Sequence, residues 1–460
     1  MIAGGGFGGF YAARALERAL PAQSARVTLV NDANFMLYTP LLPGAAGATL
    51  DPRHVVVPLR SQLRSTELVV GSVCGADHRR RTLSVERIDG EHVELPYDHL
   101  AVALGSVSRT LPVPGLAQHA IGFKSLPDAT ALRNQVLNCF DIAETIEQPA
   151  RRAEYLGFVF VGAGYAGVEG LAELQDFAVQ AIRLYPRCRA QGMRWVLVEA
   201  RERIMLEVPL TLSEFAEGEL RGRGIELRTS TTLAELTASH ARVSDGESIP
   251  ARTVVWTAGV KPSPAVARLA LPLEESGRIA VDRTLRVVGP AGDGTPLDGR
   301  VWAIGDCAAV PDPSQPGRSC PPTAQHAIRQ GRLLARNIAA ALGGGSLRPF
   351  RYRTRGVVAE LGGSQAVAIT FGIRWRGRPA WLIARTYHLL LMPGIGRRLR
   401  LLVDWNVALL FGRDPSAPGR LGSPTPLQFD DATGAGEHPR DGARGAAAST
   451  FPPAAGGGVS

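Results

Sequence analysis

The chain has 460 residues, and its 51 Lys and Arg outnumber its 42 Asp and Glu to give a net charge of +9. This length predicts two or three domains, and a hydrophobic fraction of 45% is ordinary for globular domains with a sizeable core. A positive excess favours an anionic partner, but no nucleic-acid motif and no dense basic tract with stacking aromatics occur, so we expect no nucleic acid partner.

The first elements have the order of a dinucleotide-binding βαβ unit. Gly4, Gly6 and Gly9 satisfy the pattern G-x-G-x-x-G. In such a unit the first glycine allows a tight turn, the second lets the backbone approach a pyrophosphate, and the third packs helix on strand. The helix N-terminus offers free N–H groups to the phosphates. The predicted strand, turn, helix and strand cover residues 1–3, 4–9, 10–20 and 26–30.

The end of the second strand carries Asn31 and Asp32. An acidic residue at this place accepts hydrogen bonds from an adenosine ribose. Asn31 holds the strand-end position and bonds a hydroxyl more weakly than a carboxylate would, so either residue could serve. The alternative is a simple strand-end turn, which Asn and Asp also favour.

Loops and strands follow the first unit. Residues 37–43 form a proline-punctuated apolar loop, and residues 68–94 predict a small antiparallel meander. Buried strands over 97–106 and 253–259 each end in a glycine turn. This matching pair indicates an internal repeat.

The glycine pattern recurs in the middle of the chain, at Gly162, Gly164 and Gly167. The strand that follows ends in Glu199. Two complete motifs predict two nucleotides held face to face, and the alternative is a duplicated α/β domain with one inactive site. The predicted strand, helix and strand cover residues 158–161, 168–182 and 195–198.

A Gly-Asp turn containing Asp306 precedes the last helix of the repeat region. Two prolines and Thr323 stand before that helix and are normal N-terminus signals. Its start could present N–H groups to a phosphate or a cofactor carbonyl. The sequence also predicts helical segments over residues 126–147 and 174–192, a hairpin over 278–300, a strand over 301–304 and the helix itself over 324–342.

The region 372–413 carries eight Arg against one acidic residue, Asp404. Its two apolar runs, 380–392 and 399–411, each reach roughly 20 Å as a helix, short of the about 30 Å of a bilayer core. The second run is amphipathic, which suits a helix lying in a membrane interface rich in anionic lipid. The alternative is a helix pair packed on the protein's own core or on a partner subunit.

The cysteines are five in number and widely spaced, without a C-x-x-C pair, which argues against a disulfide framework, a structural zinc site and a dithiol reductase. A reducing compartment is the simplest interpretation, and we expect no metal. The glycine turn begins at residue 4, so we expect no signal peptide, and the short first strand leaves open a start upstream of Met1.

The combination of motifs from residue 1 to 413 resembles type II, non-proton-pumping NADH:quinone oxidoreductases. The motifs are GGGFGG, TPLLP, GAGYAGVE, WTAGVKP, WAIGDCAAVPD and TAQHAIRQG. The resemblance implies an α/β fold of two Rossmann-like dinucleotide-binding domains, for FAD and NADH, and a C-terminal helical membrane-anchoring region. The implied FAD-binding domain consists of residues 1–125 and 286–345, and the implied NADH-binding domain consists of residues 126–285. Residues 346–413 are the implied membrane-associating region, and residues 414–460 are an implied disordered tail.

The resemblance also implies site residues for the two nucleotides. The glycines of the first loop lie at the FAD pyrophosphate, Asp306 at the ribityl or pyrophosphate region, and the helix start at the isoalloxazine. The implied FAD residues are Gly4, Gly6, Gly9, Asn31, Asp32, Gly105, Asp306, Ala324 and Gln325. The implied NADH residues are Gly162, Gly164, Gly167, Glu199 and Gly259.

Glu169 and Gln325 are implied as catalytic residues that orient rings and manage protons, and Gln325, Ile328 and Arg329 as quinone contacts. Two positions depart from the family. Arg329 occupies the place of a second glutamine, with Gln330 one residue later, and Asn31 replaces the usual acidic residue. The first departure bears on quinone preference and the second on the FAD ribose.

Glu199 favours NADH over NADPH on chemical grounds, because a carboxylate pairs with both ribose hydroxyls and repels a 2′-phosphate. Arg201 and Arg203 could soften that preference, although a solvated basic turn is the simpler interpretation.

The implied function is an FAD-dependent enzyme that takes a hydride from NADH and passes electrons to a membrane quinone. It lies as a peripheral, monotopic protein on the cytoplasmic side of the cell membrane, held to anionic lipid by its C-terminal helices; a homodimer is left open. The alternatives are a soluble NAD(P)H-dependent flavoprotein reductase with a protein acceptor, a slow redox sensor, and a sulfide-oxidising quinone reductase. The last needs a reactive cysteine pair, for which only Cys307 and Cys320 lie suitably placed.

Overall fold

The computed structural model describes residues 1–21, 24–352 and 356–417. The α-helices are α1 (Phe7–Ala19), α2 (Leu42–Ala46), α3 (Leu59–Gln62), α4 (Leu116–His119), α5 (Leu126–Thr145), α6 (Pro149–Leu156), α7 (Tyr165–Ala181), α8 (Pro186–Gln191), α9 (Leu210–Gly222), α10 (Ala324–Leu342), α11 (Arg378–Leu391) and α12 (Ile395–Phe411). The first strands are β1 (Ile2–Ala3), β2 (Thr28–Asn31), β3 (Phe35–Leu37), β4 (Val56–Pro58), β5 (Glu67–Asp77), β6 (Thr82–Arg87), β7 (His92–Pro96), β8 (Leu100–Val102), β9 (Ser106–Ser108), β10 (Ala120–Gly122), β11 (Gly157–Val161) and β12 (Arg194–Val198). The remaining strands are β13 (Ile225–Arg228), β14 (Leu233–Leu236), β15 (His240–Val243), β16 (Ser248–Pro250), β17 (Thr253–Trp256), β18 (Val260–Pro262), β19 (Ile279–Ala280), β20 (Val301–Ala303), β21 (Ala308–Ala309), β22 (Gly356–Glu360), β23 (Ala366–Thr370) and β24 (Ile373–Arg376).

A seven-stranded sheet in the order β20-β8-β1-β2-β5-β6-β7 contains the first glycine motif. The strands from β20 to β5 pair in parallel, while β6 and β7 continue in antiparallel fashion. Strands β1, β8 and β20 are buried at every residue, as continuous apolar runs in parallel sheets usually are. The predicted meander over 68–94 is therefore antiparallel as expected, but it is part of this large sheet because β5 pairs with β2.

A second sheet of five parallel strands, β10-β17-β11-β12-β13, contains the second motif. Each residue of β11 is buried, and Phe158 stacks on Trp195 of β12 with ring centroids 4.4 Å apart. The coarse prediction of an α/β protein with a duplicated strand–glycine turn–helix unit is confirmed.

The glycine turns at the ends of the two matching strands lie side by side. β9 follows Gly105, β18 follows Gly259, and the two strands pair antiparallel with Ser106 opposite Pro262. This small ladder joins the two large sheets at the carboxyl ends of β8 and β17, the edge at which open α/β sheets bind ligands.

Helices α1 and α7 begin at Phe7 and Tyr165, earlier than predicted, because the third glycine of each motif lies inside the helix rather than before it. The predicted excursion over 174–192 is interrupted: α7 ends at Ala181 and Pro186 starts α8. The predicted loop over 37–43 is largely helical, since a 3-10 turn there leads into α2.

The C-terminal part consists of a three-stranded antiparallel sheet, β22-β23-β24, followed by α11 and α12. Pro393 and Gly394 separate the two helices, as the sequence predicts. In the ranges that the structure describes, every helix is too short or too polar to cross a membrane. The predicted tail, 414–460, lies outside the described residues from position 418 onward.

Candidate functional site

The first glycine loop holds α1 tightly against the sheet. Gly4 has a φ of +101°, and a side chain there would strike the Ala103 carbonyl. A Cβ on Gly9 would strike the Gly4 carbonyl in the same way. The loop therefore needs glycine at both positions, for a left-handed turn and for close packing of helix on strand.

A cavity of about 720 Å³ opens beside this loop, within the about 300–1,000 Å³ that is typical of ligand sites. Of the predicted FAD residues, Gly9 and Gln325 do not line it. Those that line the cavity are Gly4, Gly6, Asn31, Asp32, Gly105, Asp306 and Ala324. Its volume, its glycine cradle and the start of α10 fit a dinucleotide.

Asn31 is tied into the glycine loop. Its Oδ1 accepts a hydrogen bond from Gly5 N at 2.7 Å, while its Nδ2 donates to the carbonyls of Ala33 and Phe35. An aspartate or glutamate could not make the last two bonds, since a carboxylate has no N–H to donate. The departure at Asn31 thus adds contacts that fix the strand end.

Glu199 takes the corresponding position in the second motif. Its carboxylate accepts hydrogen bonds from Ala163 N at 2.6 Å and from Arg201 N at 2.9 Å. Gly162 has a φ of +105°, and a Cβ on Gly167 would strike the Gly162 carbonyl. The two motifs therefore share one geometry, in which the strand-end side chain accepts a hydrogen bond from the backbone N–H of the second residue of the glycine loop.

Asp306 belongs to a short polar chain that sequence reasoning missed. Ser106 Oγ donates to Asp306 Oδ2 at 2.6 Å, and Lys124 Nζ donates to Ser106 Oγ at 3.1 Å. All three line the large cavity. A signal for Lys124 was present, because it is one of only two lysines in the sequence.

Gln325 lies in the first turn of α10 and is held by its neighbours. Tyr352 donates its hydroxyl proton to Gln325 Oε1 at 2.7 Å, and Gln325 Nε2 donates to the Gly356 carbonyl at 3.0 Å. Arg329 donates to the Gln325 carbonyl and stacks over the Tyr352 ring at 4.0 Å. Ile328 is buried in the core around the first sheet.

Gln330 does not take the place of the missing second glutamine. It is almost wholly buried, and its Oε1 accepts a hydrogen bond from Gly305 N at 2.7 Å. It therefore holds the Gly-Asp turn, whereas Arg329 faces Tyr352.

Glu169 contacts the backbone of Glu360, an acidic residue in a strand of the C-terminal sheet. Its Oε1 accepts a hydrogen bond from Glu360 N at 3.1 Å. Burial raises the pKa of Glu169 to about 8, and burial also raises the pKa of Glu360 to about 7, although Arg385 stands 3.6 Å from it. Sequence reasoning missed Glu360 because nothing local links it to a helix 191 positions earlier.

A buried tyrosine–histidine pair lies near these carboxyls. His388 lines the same small pocket as Glu169 and Glu360, and its Nδ1 is 3.5 Å from the Tyr38 hydroxyl. Burial lowers the pKa of His388 to about 4, so the imidazole is neutral at physiological pH. The pocket therefore contains two carboxyl groups with raised pKa values, Glu169 and Glu360, and a neutral imidazole, His388.

The two cysteines near the Gly-Asp turn are buried free thiols. Burial raises the pKa of Cys307 to about 11 and that of Cys320 to about 12. Both remain protonated at neutral pH, which removes the nucleophilic thiolate that a sulfide-oxidising quinone reductase requires.

Comparison with known proteins agrees with this geometry. A family model described as pyridine nucleotide-disulphide oxidoreductase matches residues 1–331. A type II NADH:quinone oxidoreductase of Mycobacterium tuberculosis is 29% identical over 424 residues, which cover 90% of this chain and 88% of the relative. A demethylphylloquinone reductase of Synechocystis is 30% identical over 414 residues, which cover 88% and 94%.

Among solved structures, the fold is similar to that of NDH2 from Plasmodium falciparum in complex with NADH. The TM-score is 0.82 at 18% identity, over 90% of this chain and 99% of that chain. The chain belongs to the pyridine nucleotide-disulphide oxidoreductase family and, within it, to the type II NADH:quinone oxidoreductases that its motifs resemble.

Proposed function

We propose that this protein transfers electrons from NADH to a membrane quinone by way of bound FAD, without pumping protons. The observation that carries the proposal is the matched pair of glycine loops, each with a backbone N–H that donates a hydrogen bond to a strand-end side chain. Two such loops suit one cofactor and one nucleotide substrate. The family membership points to the same reaction, since relatives matched over most of the chain are named for it.

The first loop and its cavity suit FAD, which when bound supplies a flavin ring that accepts a hydride and passes electrons on. Gly4, Gly6 and Gly9 place the N–H groups of α1 toward the pyrophosphate. Asn31 keeps one acceptor lone pair on Oδ1 for a ribose hydroxyl, and Asp32 lines the cavity next to it.

The polar chain of Asp306, Ser106 and Lys124 would orient the middle of the cofactor. The Asp306 carboxylate would accept hydrogen bonds from hydroxyls of the ribityl chain. Ser106 links this carboxylate to the Lys124 ammonium, whose positive charge would offset its negative charge. Gly105 and Ala324 line the same cavity and leave space at the ring end because neither carries a large side chain.

The second loop would bind NADH through Gly162, Gly164, Gly167 and the turn at Gly259. Glu199 uses its carboxylate to fix the loop and retains lone pairs for both hydroxyls of the adenosine ribose. The same negative charge disfavours the 2′-phosphate of NADPH.

The quinone would approach the ring end near the start of α10, where Gln325, Ile328 and Arg329 lie. The Tyr352 hydroxyl and the Gly356 carbonyl hold the Gln325 amide from two sides, so the amide is fixed rather than free to rotate. The Arg329 cation stacked on Tyr352 gives this entrance a positive charge that a glutamine would not supply.

Glu169 would hold a proton for the quinone. Quinone reduction to hydroquinone takes up two protons, and a carboxyl with a pKa of about 8 is mostly protonated at pH 7. Glu360 N donates to it, which keeps the carboxyl in a fixed orientation. Its role is that of a general acid rather than a nucleophile.

The C-terminal helices would hold the enzyme to the cytoplasmic side of the cell membrane. α12 exposes a set of apolar side chains that soluble surfaces rarely group together. These are Ile395, Leu399, Leu402, Val403, Val407, Leu409, Leu410 and Phe411. The domain assignment that follows is FAD binding for 1–125 and 286–345, NADH binding for 126–285 and membrane association for 346–413.

Steady-state turnover with the flavin-loaded protein and a short-chain quinone tests this function. We expect fast quinone reduction with NADH and little with NADPH. If NADH reduces the flavin but quinone does not reoxidise it, a protein acceptor or a sensor role replaces the quinone. Glu199→Gln provides the matched variant for the nucleotide arm, because it keeps the shape and removes the charge.

A further inference from the structure

A second large cavity, of about 480 Å³, lies between α1 and α10. Four arginines line it, Arg14 and Arg18 from α1 and Arg332 and Arg336 from α10. The Arg332 guanidinium also lies 5.2 Å from the centre of the Tyr11 ring. We call this cavity, with its four arginines, the arginine groove.

The charge in the arginine groove is not neutralised by the protein. Within the ranges 1–21, 24–352 and 356–417, no carboxylate forms an ion pair with any of the four arginines. α10 contains no acidic residue, and the single acid of α1, Glu17, accepts hydrogen bonds from Ser65 and Thr66 instead. Like charges spaced four residues apart on one helix repel each other, so each helix carries an unfavourable pair.

Close packing of the two helices brings these pairs together. Gly331 of α10 has no side chain, and a Cβ there would strike the Gly8 carbonyl and lie 3.0 Å from Ala12 N. The helix backbones therefore approach each other just before Arg332. A carboxylate in place of any of the four arginines would reduce the repulsion among them and stabilise the folded protein. Four arginines without a carboxylate therefore favour a bound anion.

The arginine groove adjoins the amphipathic helix α12. Burial raises the pKa of Tyr11, which lines the groove, and the nearby cations of Arg332, Arg14 and Arg398 oppose that rise. Arg398 lies in the first turn of α12, and Leu401 of that helix is buried in the same core cluster as Tyr11 of the groove. A phosphate held in the groove would thus lie beside a surface suited to acyl chains.

We propose that the arginine groove binds the phosphate headgroup of an anionic phospholipid at the membrane surface. Guanidinium groups bind phosphate oxygens in bidentate fashion. Four of them around one cavity suit a phosphate headgroup as ligand better than a ligand with a single carboxylate. The inference rests on the membrane association proposed for α12 and adds a site outside the C-terminal region.

Flotation of the full-length, flavin-loaded protein with lipid vesicles tests this site. The vesicles contain phosphatidylcholine, with or without phosphatidylglycerol. The groove variant Arg18→Gln/Arg336→Gln removes two exposed side chains without touching the core. The control Arg151→Gln/Arg189→Gln removes two exposed arginines from the packed pair α6 and α8, with the same change in net charge.

We expect the groove variant to lose about 30-fold in affinity for phosphatidylglycerol vesicles, and the control to lose little. NADH–quinone turnover with a water-soluble quinone should be the same in both variants. Equal binding of the two variants would overturn the groove while leaving the membrane role of α12 in place. If the wild type ignores phosphatidylglycerol, both ideas are wrong.

A free phosphate is the other source of the same chemistry. Inorganic phosphate that raises the melting temperature of the wild type but not of the groove variant, with vesicle binding equal in both, would assign the groove to a soluble anion and overturn the lipid proposal. Loss of vesicle binding in the groove variant alone supports it.

Discussion

Glu169→Gln is the substitution that most directly tests the protonation of the site. The amide has the shape of the protonated carboxyl and can still accept the hydrogen bond from Glu360 N. Burial raises the pKa of Glu169 from 4.5 to about 8, so the folded protein keeps a proton that the unfolded chain releases. Stability from this group is therefore full below pH 4.5 and declines as the pH rises toward 8.

The size of the effect follows from the same numbers. A rise from 4.5 to about 8 corresponds to about 5 kcal/mol at about 1.4 kcal/mol per tenfold change in proton affinity. The Glu169 side chain is only partly buried, and solvent screens part of that energy. We expect about 2 kcal/mol of pH-dependent destabilisation in the wild type, and none from this position in the glutamine variant.

The assay is denaturant unfolding of both proteins at pH 5 and pH 8. The difference in the free energy of unfolding, variant minus wild type, should grow by about 2 kcal/mol between the two conditions. Glu214→Gln, an exposed change of the same charge on α9, serves as the control and should give a constant difference. A Glu169→Gln difference that does not vary with pH would refute the assignment of a proton to this carboxyl.

Three further outcomes are expected. Glu199→Ala should weaken NADH binding at least tenfold and reduce the preference over NADPH, measured by kcat/KM for both nucleotides, because charge-assisted hydrogen bonds are worth about 1.5–3 kcal/mol. Arg413→Met should lower the free energy of unfolding by about 3–5 kcal/mol, because it leaves the buried carboxylate of Glu173, now 3.0 Å from Arg413, without its ion-pair partner. Gly331→Ala should cost about 1–3 kcal/mol in the same assay, since the new methyl group meets the Gly8 carbonyl; a neutral result would contradict the close helix approach.

The sequence predicted what depends on local spacing. Both glycine loops, Glu199 at its strand end and the bounds of α10 follow from residue types a few positions apart, and the structure has them there. The start of α1 was placed too late because the sequence does not show that Gly9 lies within the helix.

Contacts between distant segments were beyond this reasoning. Ser106 reaches Asp306, and Lys124 reaches Ser106, only after the chain closes its sheet. Glu360 reaches Glu169 from a strand of the C-terminal sheet. The pKa values that give the site its chemistry come from burial, which tertiary packing decides.

The departures from the family pattern show the same limit. The sequence raised a question about Arg329 without answering it, and the ring stacking on Tyr352 depends on a residue 23 positions later. Similarly, only the structure shows that Gln330 holds Gly305 rather than replacing the missing glutamine.

Electron flow from NADH to quinone is the central claim, and anaerobic rapid mixing measures it directly. The flavin absorbance of the loaded protein should fall on mixing with NADH and return on a second mixing with a short-chain quinone, with little fall when NADPH replaces NADH. Absorbance that falls with NADH but does not return with any quinone would contradict the account.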